Sequence, residues 1–263
     1  MAGLTAEEVE TYRRDGIVVP SFRLPQARMN ALVAELDRVI ADNPGVRPEK
    51  LISIHLEDGA EGVKGAAAFL DLARDPDILD LVESAIGPDI ALWGCHMFCK
   101  AAGNGLEVPW HQDGHYWPIR PLATCTVWIA LERSDPENGC LRVVPGSHRD
   151  QVLHDHMKED GDLALSEKIN MSAFDEADAM DVVLEPGQMS LHDVYMIHGS
   201  NANRSPRRRA GLAIRYMPTT SHLDRTLREA GDGSGVMVDF STRPLFLVRG
   251  QDCSGLNDFT VGH

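Results

Sequence analysis

Residues 108–120 read VPWHQDGHYWPIR, an apolar run interrupted by His111, Asp113 and His115. A carboxylate buried there without a partner costs several kcal/mol or shifts its pKa. The stretch therefore calls for a compensating cation, and two imidazoles beside the carboxylate make a metal ion the natural one. In a strand, residues two apart share a face. His111 and Asp113 are then expected to converge, with Gln112 turned away and His115 and Trp117 continuing the inward face.

Two such ligands and one distant histidine make the facial triad of non-haem Fe(II) oxygenases, which leaves coordination positions open. A structural zinc site is closed by four protein ligands instead. The triplet alone is weak, because His148-Arg149-Asp150, His222-Leu223-Asp224 and His55-Leu56-Glu57 have the same form. His148 follows the turn residues Pro145-Gly146-Ser147, and His222 has only His263 downstream as a partner. The third ligand is sought in MSLHDVYMIHGSNANRSPRRRAG, residues 189–211. His192 and His198 lie six apart there, on one face if the strand is continuous, and His198 ends the apolar run before Gly199-Ser200. Arg209 opens the next β-like run. A tight turn would make these strands neighbours and aim its planar guanidinium, suited to a carboxylate, into the cavity that His198 edges. The competing reading is a surface basic cluster with Arg207 and Arg208.

The bulk numbers narrow the classes. The 263 residues suit one mixed domain. With 25 Lys plus Arg against 40 Asp plus Glu, the net charge is −15, which disfavours nucleic-acid binding. The start, MAGLTAEEVETYRRDG, has no signal-peptide core, and no run approaches ~18 apolar residues, so a cytoplasmic protein without membrane contact is expected. Five cysteines without a CxxC pair read as buried free thiols. Thr5 and Glu8 form a capping box ahead of a first helix that Gly16 stops. Met29, Leu32, Val33, Leu36 and Ile40 line one face of a second, and PDILDLVESAIGP is a third. From about residue 90 the chain turns into β-rich segments separated by Gly, Pro, Asn and Asp. The expectation is a single domain, mainly β with flanking helices: a helical cap about 1–89, a core about 90–220, and an acidic insertion about 149–181 that serves as a lid or binding segment.

Taken together, WHQDGHYWPIRP, VWIALERSDPENGCLRVVPGSH and IHGSNANRSPRRRAGLAIRY closely resemble the phytanoyl-CoA dioxygenase family of Fe(II)/2-oxoglutarate oxygenases, over roughly residues 8–220. The resemblance implies a double-stranded β-helix (cupin-like jelly roll) with iron on His111, Asp113 and His198. It places Arg209 at the 5-carboxylate of 2-oxoglutarate, Ser200 at a further co-substrate contact and Trp128 in the pocket wall. His96 falls at a co-substrate-lining position where an apolar side chain is more usual. Halogenating relatives carry Gly or Ala in place of the carboxylate, so Asp113 favours hydroxylation of a small molecule with O2, releasing succinate and CO2. Desaturation, epimerisation or cyclisation on the same iron is the first alternative. A non-catalytic metal-binding cupin is the second, disfavoured by intact Asp113 and Arg209, and a zinc hydrolase is a remote further one.

The substrate is less legible. The acidic insertion speaks against an acyl-CoA. Lys100, Arg120 and Arg215 are candidate pocket cations. Arg215 shares the face of Arg209 and is matched either to an anionic group of a small substrate or to a structural salt bridge. His55, reaching from the cap, and His115 and Trp117 complete the substrate candidates, while His154, His156 and His192 are expected to be solvated or packed.

Overall fold

The computed structural model describes residues 3–58, 62–226, 230–231 and 237–262. Four α-helices lie ahead of the long strand β3 (Ile90–Lys100): α1 (Ala6–Asp15), α2 (Gln26–Asp42), α3 (Ala67–Ala73) and α4 (Pro76–Ile86). The Thr5 side chain accepts from the Glu8 N–H and the Glu8 carboxylate from the Thr5 N–H, the reciprocal cap expected from the sequence. Gly16 then ends α1 at φ 75°, a left-handed position suited to glycine. The short helix α3 was not expected; Asp75, whose carboxylate accepts from the N–H groups of Asp77 and Ile78, separates it from α4. No helix among the described residues is long and apolar enough to cross a membrane.

The strands are β1 (Ile17–Val18), β2 (Leu51–Ile52), β3 (Ile90–Lys100), β4 (Val108–His111), β5 (Ile119–Arg120), β6 (Cys125–Ala130), β7 (Leu141–Val143) and β8 (His156–Lys158). They continue as β9 (Glu167–Ile169), β10 (Met180–Val182), β11 (Met189–Asp193), β12 (His198–Ser200), β13 (Arg209–Pro218), β14 (His222–Leu223), β15 (Ala230–Gly231), β16 (Met237–Val238) and β17 (Phe246–Arg249). A large sheet runs β1-β11-β6-β13-β3-β17, with β2 also on β3, and a small one runs β10-β7-β12-β4. The two antiparallel sheets form the double-stranded β-helix, a cupin-like jelly roll. Three strands of the large sheet, β1, β2 and β17, come from outside residues 90–220. Within 149–181, β8 and β9 form an antiparallel hairpin beside β4: the Gln112 N–H donates to His156 Nε2 at 3.1 Å, and Phe174 meets Trp110 with ring centroids 5.1 Å apart.

Alternation along the central strands of the large sheet sorts their side chains. Cys95, Met97 and Cys99 of β3, Val127 and Ile129 of β6, and Ala210, Leu212, Ile214 and Tyr216 of β13 pack in one core with Leu36, Phe69 and Val82 of the helices. The opposite positions, Phe98, Thr126, Trp128, Arg209, Ala213 and Arg215, line a cavity that the small sheet covers. Both faces are thus buried, which is why these segments read as nearly continuous apolar runs. Four cysteines are buried free thiols, and Cys253 is exposed.

Gly211 lies on the cavity face of β13 because the Trp128 indole crosses it. A Cβ at this position would sit 1.9 Å from Trp128 Cζ2. Gly211→Ala is expected to displace the indole at a cost of about 1–3 kcal/mol, a melting temperature lower by at least about 2 °C, read by circular dichroism. An unchanged melting temperature would show that the indole yields freely.

Candidate metal centre

Antiparallel pairing of β12 with β4 sets His198 directly opposite His111, with ring centroids 4.1 Å apart. One ligand atom from each of His111, Asp113 and His198 lies within 4.8 Å of the others, and all three residues are buried. His111 Nε2 is 3.7 Å and His198 Nε2 3.9 Å from Asp113 Oδ1. Strand alternation does not deliver this carboxylate. The strand stops at His111, and Asp113–His115 form a 3-10 turn, pinned where the Gly114 N–H donates to Val194 O at 3.1 Å.

The hydrogen bonds set the imidazoles as metal ligands. His111 Nδ1 lies 2.8 Å from Pro109 O and His198 Nδ1 2.9 Å from Met196 O. Each Nδ1–H donates to its carbonyl, so each Nε2 presents a lone pair inward. Burial, with His111 adding, holds the His198 pKa well below the usual histidine value, so this ring is neutral. Burial pushes the Asp113 carboxyl up, but the His192 ring and the Arg215 charge act against this, and it is held well below the usual carboxylate range. Two lone pairs and a carboxylate facing one point repel unless a cation sits between them, so the donor set fits a divalent metal ion.

Asp113 Oδ2 has its own neighbours: Thr126 Oγ1 donates at 3.4 Å and His192 Nε2 lies 3.7 Å away. His192, expected to be solvated or packed, is buried and lines the cavity. It does not share a strand with His198, because β11 belongs to the large sheet and β12 to the small one, with a turn at 193–196 between them. The sequence signal was present in the six-residue spacing, but the break in the strand was not visible.

The expected β12–β13 adjacency is corrected in the same way. The two strands lie in different sheets, and Arg209 reaches the cavity from the wall opposite His198. Arg207 pairs with Asp135 and Glu137, and Arg208 with Glu132 and Asp37; Arg209 turns inward and is buried. Its Nε donates to Gly139 O at 3.1 Å and Nη1 to Phe98 O at 3.2 Å. Nη2 is 3.5 Å from Ser200 Oγ, and the guanidinium lies 5.2 Å from the Trp128 ring centroid. Lys100 Nζ donates to Ser200 Oγ at 2.7 Å. Burial lowers the Arg209 pKa to about 10, and burial with the Arg209 charge lowers that of Lys100 well below the lysine range. Among the described residues no carboxylate lies within 4.0 Å of either cation. Thus one cleft holds the three ligands, with Arg209 at one end. Arg215, six residues or about 20 Å along the same strand, lies toward the other and faces the Trp117 and Trp93 rings at 4.9 and 5.5 Å.

The remaining candidates are not among the side chains that line the cavity. His96 stacks on the cavity-lining Phe98 at 3.9 Å, donates from Nε2 to Glu49 O at 3.0 Å and faces Arg215 with Nδ1 at 3.5 Å. Burial, then Arg215, lowers its pKa to about 3. His55 lines a separate pocket with Leu56, Glu57 and Ala67. The 3-10 turn aims His115 outward, where Nε2 is 2.9 Å from Glu167 Oε2 and the ring stacks on His156 at 3.9 Å. Trp117 packs edge-on against Trp93 at 4.6 Å. Arg120 is exposed and donates to Ile119 O at 2.8 Å.

The phytanoyl-CoA dioxygenase (PhyH) family model matches residues 12–211. A probable phytanoyl-CoA dioxygenase of Caenorhabditis elegans is 29% identical over 81% of this chain and 75% of that protein. The structure of the non-heme monooxygenase ThoJ in its apo form is 27% identical with a TM-score of 0.73, covering 95% of this chain and 86% of that one. CytC3, solved with Fe(II) and alpha-ketoglutarate, is 25% identical with a TM-score of 0.66, covering 97% of this chain and 92% of that one. A match over most of the chain, on this fold and around this donor set, places the protein in the phytanoyl-CoA dioxygenase family, among the Fe(II)/2-oxoglutarate-dependent dioxygenases.

Proposed function

We propose that the protein is a hydroxylase in which His111, Asp113 and His198 hold iron, Arg209 and Ser200 hold the distal carboxylate of 2-oxoglutarate, and a small anionic substrate lies toward Arg215. The observation that carries this reading is the placement of three inward-facing donors and a buried, carboxylate-free Arg209 in one cavity. Three protein ligands leave room for a bidentate co-substrate and O2. Bound there, iron supplies the coupled oxidation of a substrate C–H bond and decarboxylation of 2-oxoglutarate to succinate and CO2. The chain itself supplies geometry. Pro109 and Met196 carbonyls hold the two imidazoles in one tautomer. Phe98, Val108, Leu141 and Ala213 keep the cavity wall apolar, which excludes water and strengthens the charge contacts within it. Arg215 over Trp117 and Trp93 offers a cation framed by aromatic rings to the substrate's anionic group.

The test is a screen of small acids and matched neutral compounds with Fe(II), 2-oxoglutarate and 18O2. The expected result is a compound among the acids that releases succinate in equal amount to product, with one 18O atom in the product. Succinate coupled to a product without added oxygen would overturn hydroxylation, and turnover confined to neutral compounds would overturn the anionic substrate.

A further inference from the structure

His96 is held from several sides. Its strand β3 pairs there with Ile52 of β2 and Ala213 of β13, and the residue is buried. The ring stacks on Phe98, which is two residues on and on the same face of the strand, with the planes 24° apart. Nε2 lies 3.0 Å from Glu49 O, in the 3-10 turn Pro48–Lys50 of the helical cap. Nδ1 lies 3.5 Å from Arg215 Nη2. Phe98 and Arg215 both line the cavity, so one imidazole touches two of its wall residues from behind.

The partners decide where the proton sits. A carbonyl oxygen only accepts, and a guanidinium only donates. Nε2 therefore carries the hydrogen and Nδ1 keeps its lone pair, the one neutral tautomer that serves both. Burial first, then the Arg215 charge and more weakly that of Arg243, keeps the ring neutral. A long side chain loses entropy when it is held in one rotamer. The Trp117 and Trp93 rings, 4.9 and 5.5 Å from the Arg215 guanidinium, give it a surface to lie against but set no direction along that surface. A hydrogen bond is directional, and the Nδ1 lone pair supplies the direction that the rings leave open.

We propose that His96 is a positioning residue for the substrate end of the cavity: its Nδ1 lone pair, aimed by the Glu49 carbonyl, sets the orientation of the Arg215 guanidinium and with it the selectivity for an anionic over a neutral substrate. This rests on the reading that Arg215 receives the substrate's anionic group. The role belongs to the acceptor nitrogen, so an apolar side chain of similar size does not replace it.

The test is nuclear magnetic resonance of protein labelled with 15N in arginine and histidine, loaded with Zn(II) and saturating 2-oxoglutarate so that the metal and the Arg209 end are filled. The Arg215 Nε–H signal is assigned by its loss in Arg215→Lys. Acetate is then titrated as the smallest stable carboxylate probe, and acetamide as its neutral counterpart. In wild type, acetate is expected to shift the Arg215 signal saturably and acetamide to leave it in place. His96→Leu is expected to weaken the response to acetate at least about tenfold. His96→Gln, whose amide offers both a donor and an acceptor, is expected to stay within about threefold of wild type. Unchanged acetate affinity in His96→Leu would overturn the assignment, and so would equal losses in the two variants, because the ring would then serve only to pack on Phe98. Should His96→Leu not fold, the wild-type imidazole signals decide. A proton on Nε2 with Nδ1 as acceptor is expected, and a proton on Nδ1 would overturn the role, since that nitrogen could not accept from Arg215. Failure of the anionic-substrate reading is recognisable separately: wild-type Arg215 would then respond to acetate no more than to acetamide while the His96 tautomer stayed as described, and the selectivity role would fall with that reading.

Discussion

His198→Ala is expected to abolish iron-dependent turnover and weaken iron binding by more than the roughly 10–100-fold typical of changing a residue behind a ligand. His198 is the small sheet's contribution opposite His111. Without it, His111 and Asp113 remain, two donors on one short stretch of chain. The fold is expected to persist, since the strands of the large sheet pack against the helices on its other face. The check is thermal melting with and without Fe(II). A ligand present at a hundred times its Kd stabilises the native state by about 2.7 kcal/mol, so iron should raise the wild-type melting temperature by several degrees and leave the variant unmoved. An equal rise in both would remove His198 from the metal site.

The second large effect is expected from Arg209→Ala. Removing one member of a buried charged hydrogen-bonded pair costs about 2–5 kcal/mol, which raises the KM for 2-oxoglutarate roughly thirtyfold or more. The KM for the oxidised substrate should change little, because Arg209 and Arg215 are six residues apart on the strand. Equal increases in both would point instead to disturbance of the Trp128 wall, 5.2 Å from the guanidinium. Initial rates at varied concentrations of each reactant separate the two.

Much of this was legible because burial leaves strong marks in sequence. The α1 cap and the apolar faces of α2 and α4 are local patterns, and their bounds agree with the structure within a few residues. The three motifs pointed to the jelly roll through the family that they resemble, while the assignment of strands to the two sheets was not legible in them. What escaped is non-local or too short to carry a period. Helix α3 has seven residues. The 3-10 turn at Asp113–His115 broke the strand alternation from which His115 had been assigned to the cavity, while Trp117 lies against the cavity-lining Arg215. The chain passes from one sheet to the other between Asp193 and His198, so spacing alone could not place His192. The stack of His96 on Phe98 depends on side-chain packing that no pattern encodes. The Lys100–Ser200 contact spans 100 residues of sequence and becomes visible only when β3 and the end of β12 meet.

The most direct measurement is anomalous diffraction at the iron edge from crystals grown anaerobically with Fe(II) and 2-oxoglutarate. A single peak about 2 Å from Nε2 of His111, Nε2 of His198 and a carboxylate oxygen of Asp113, with no fourth protein ligand, is the predicted result. A peak away from these atoms, or one that includes His192 as a fourth protein ligand, would contradict the account.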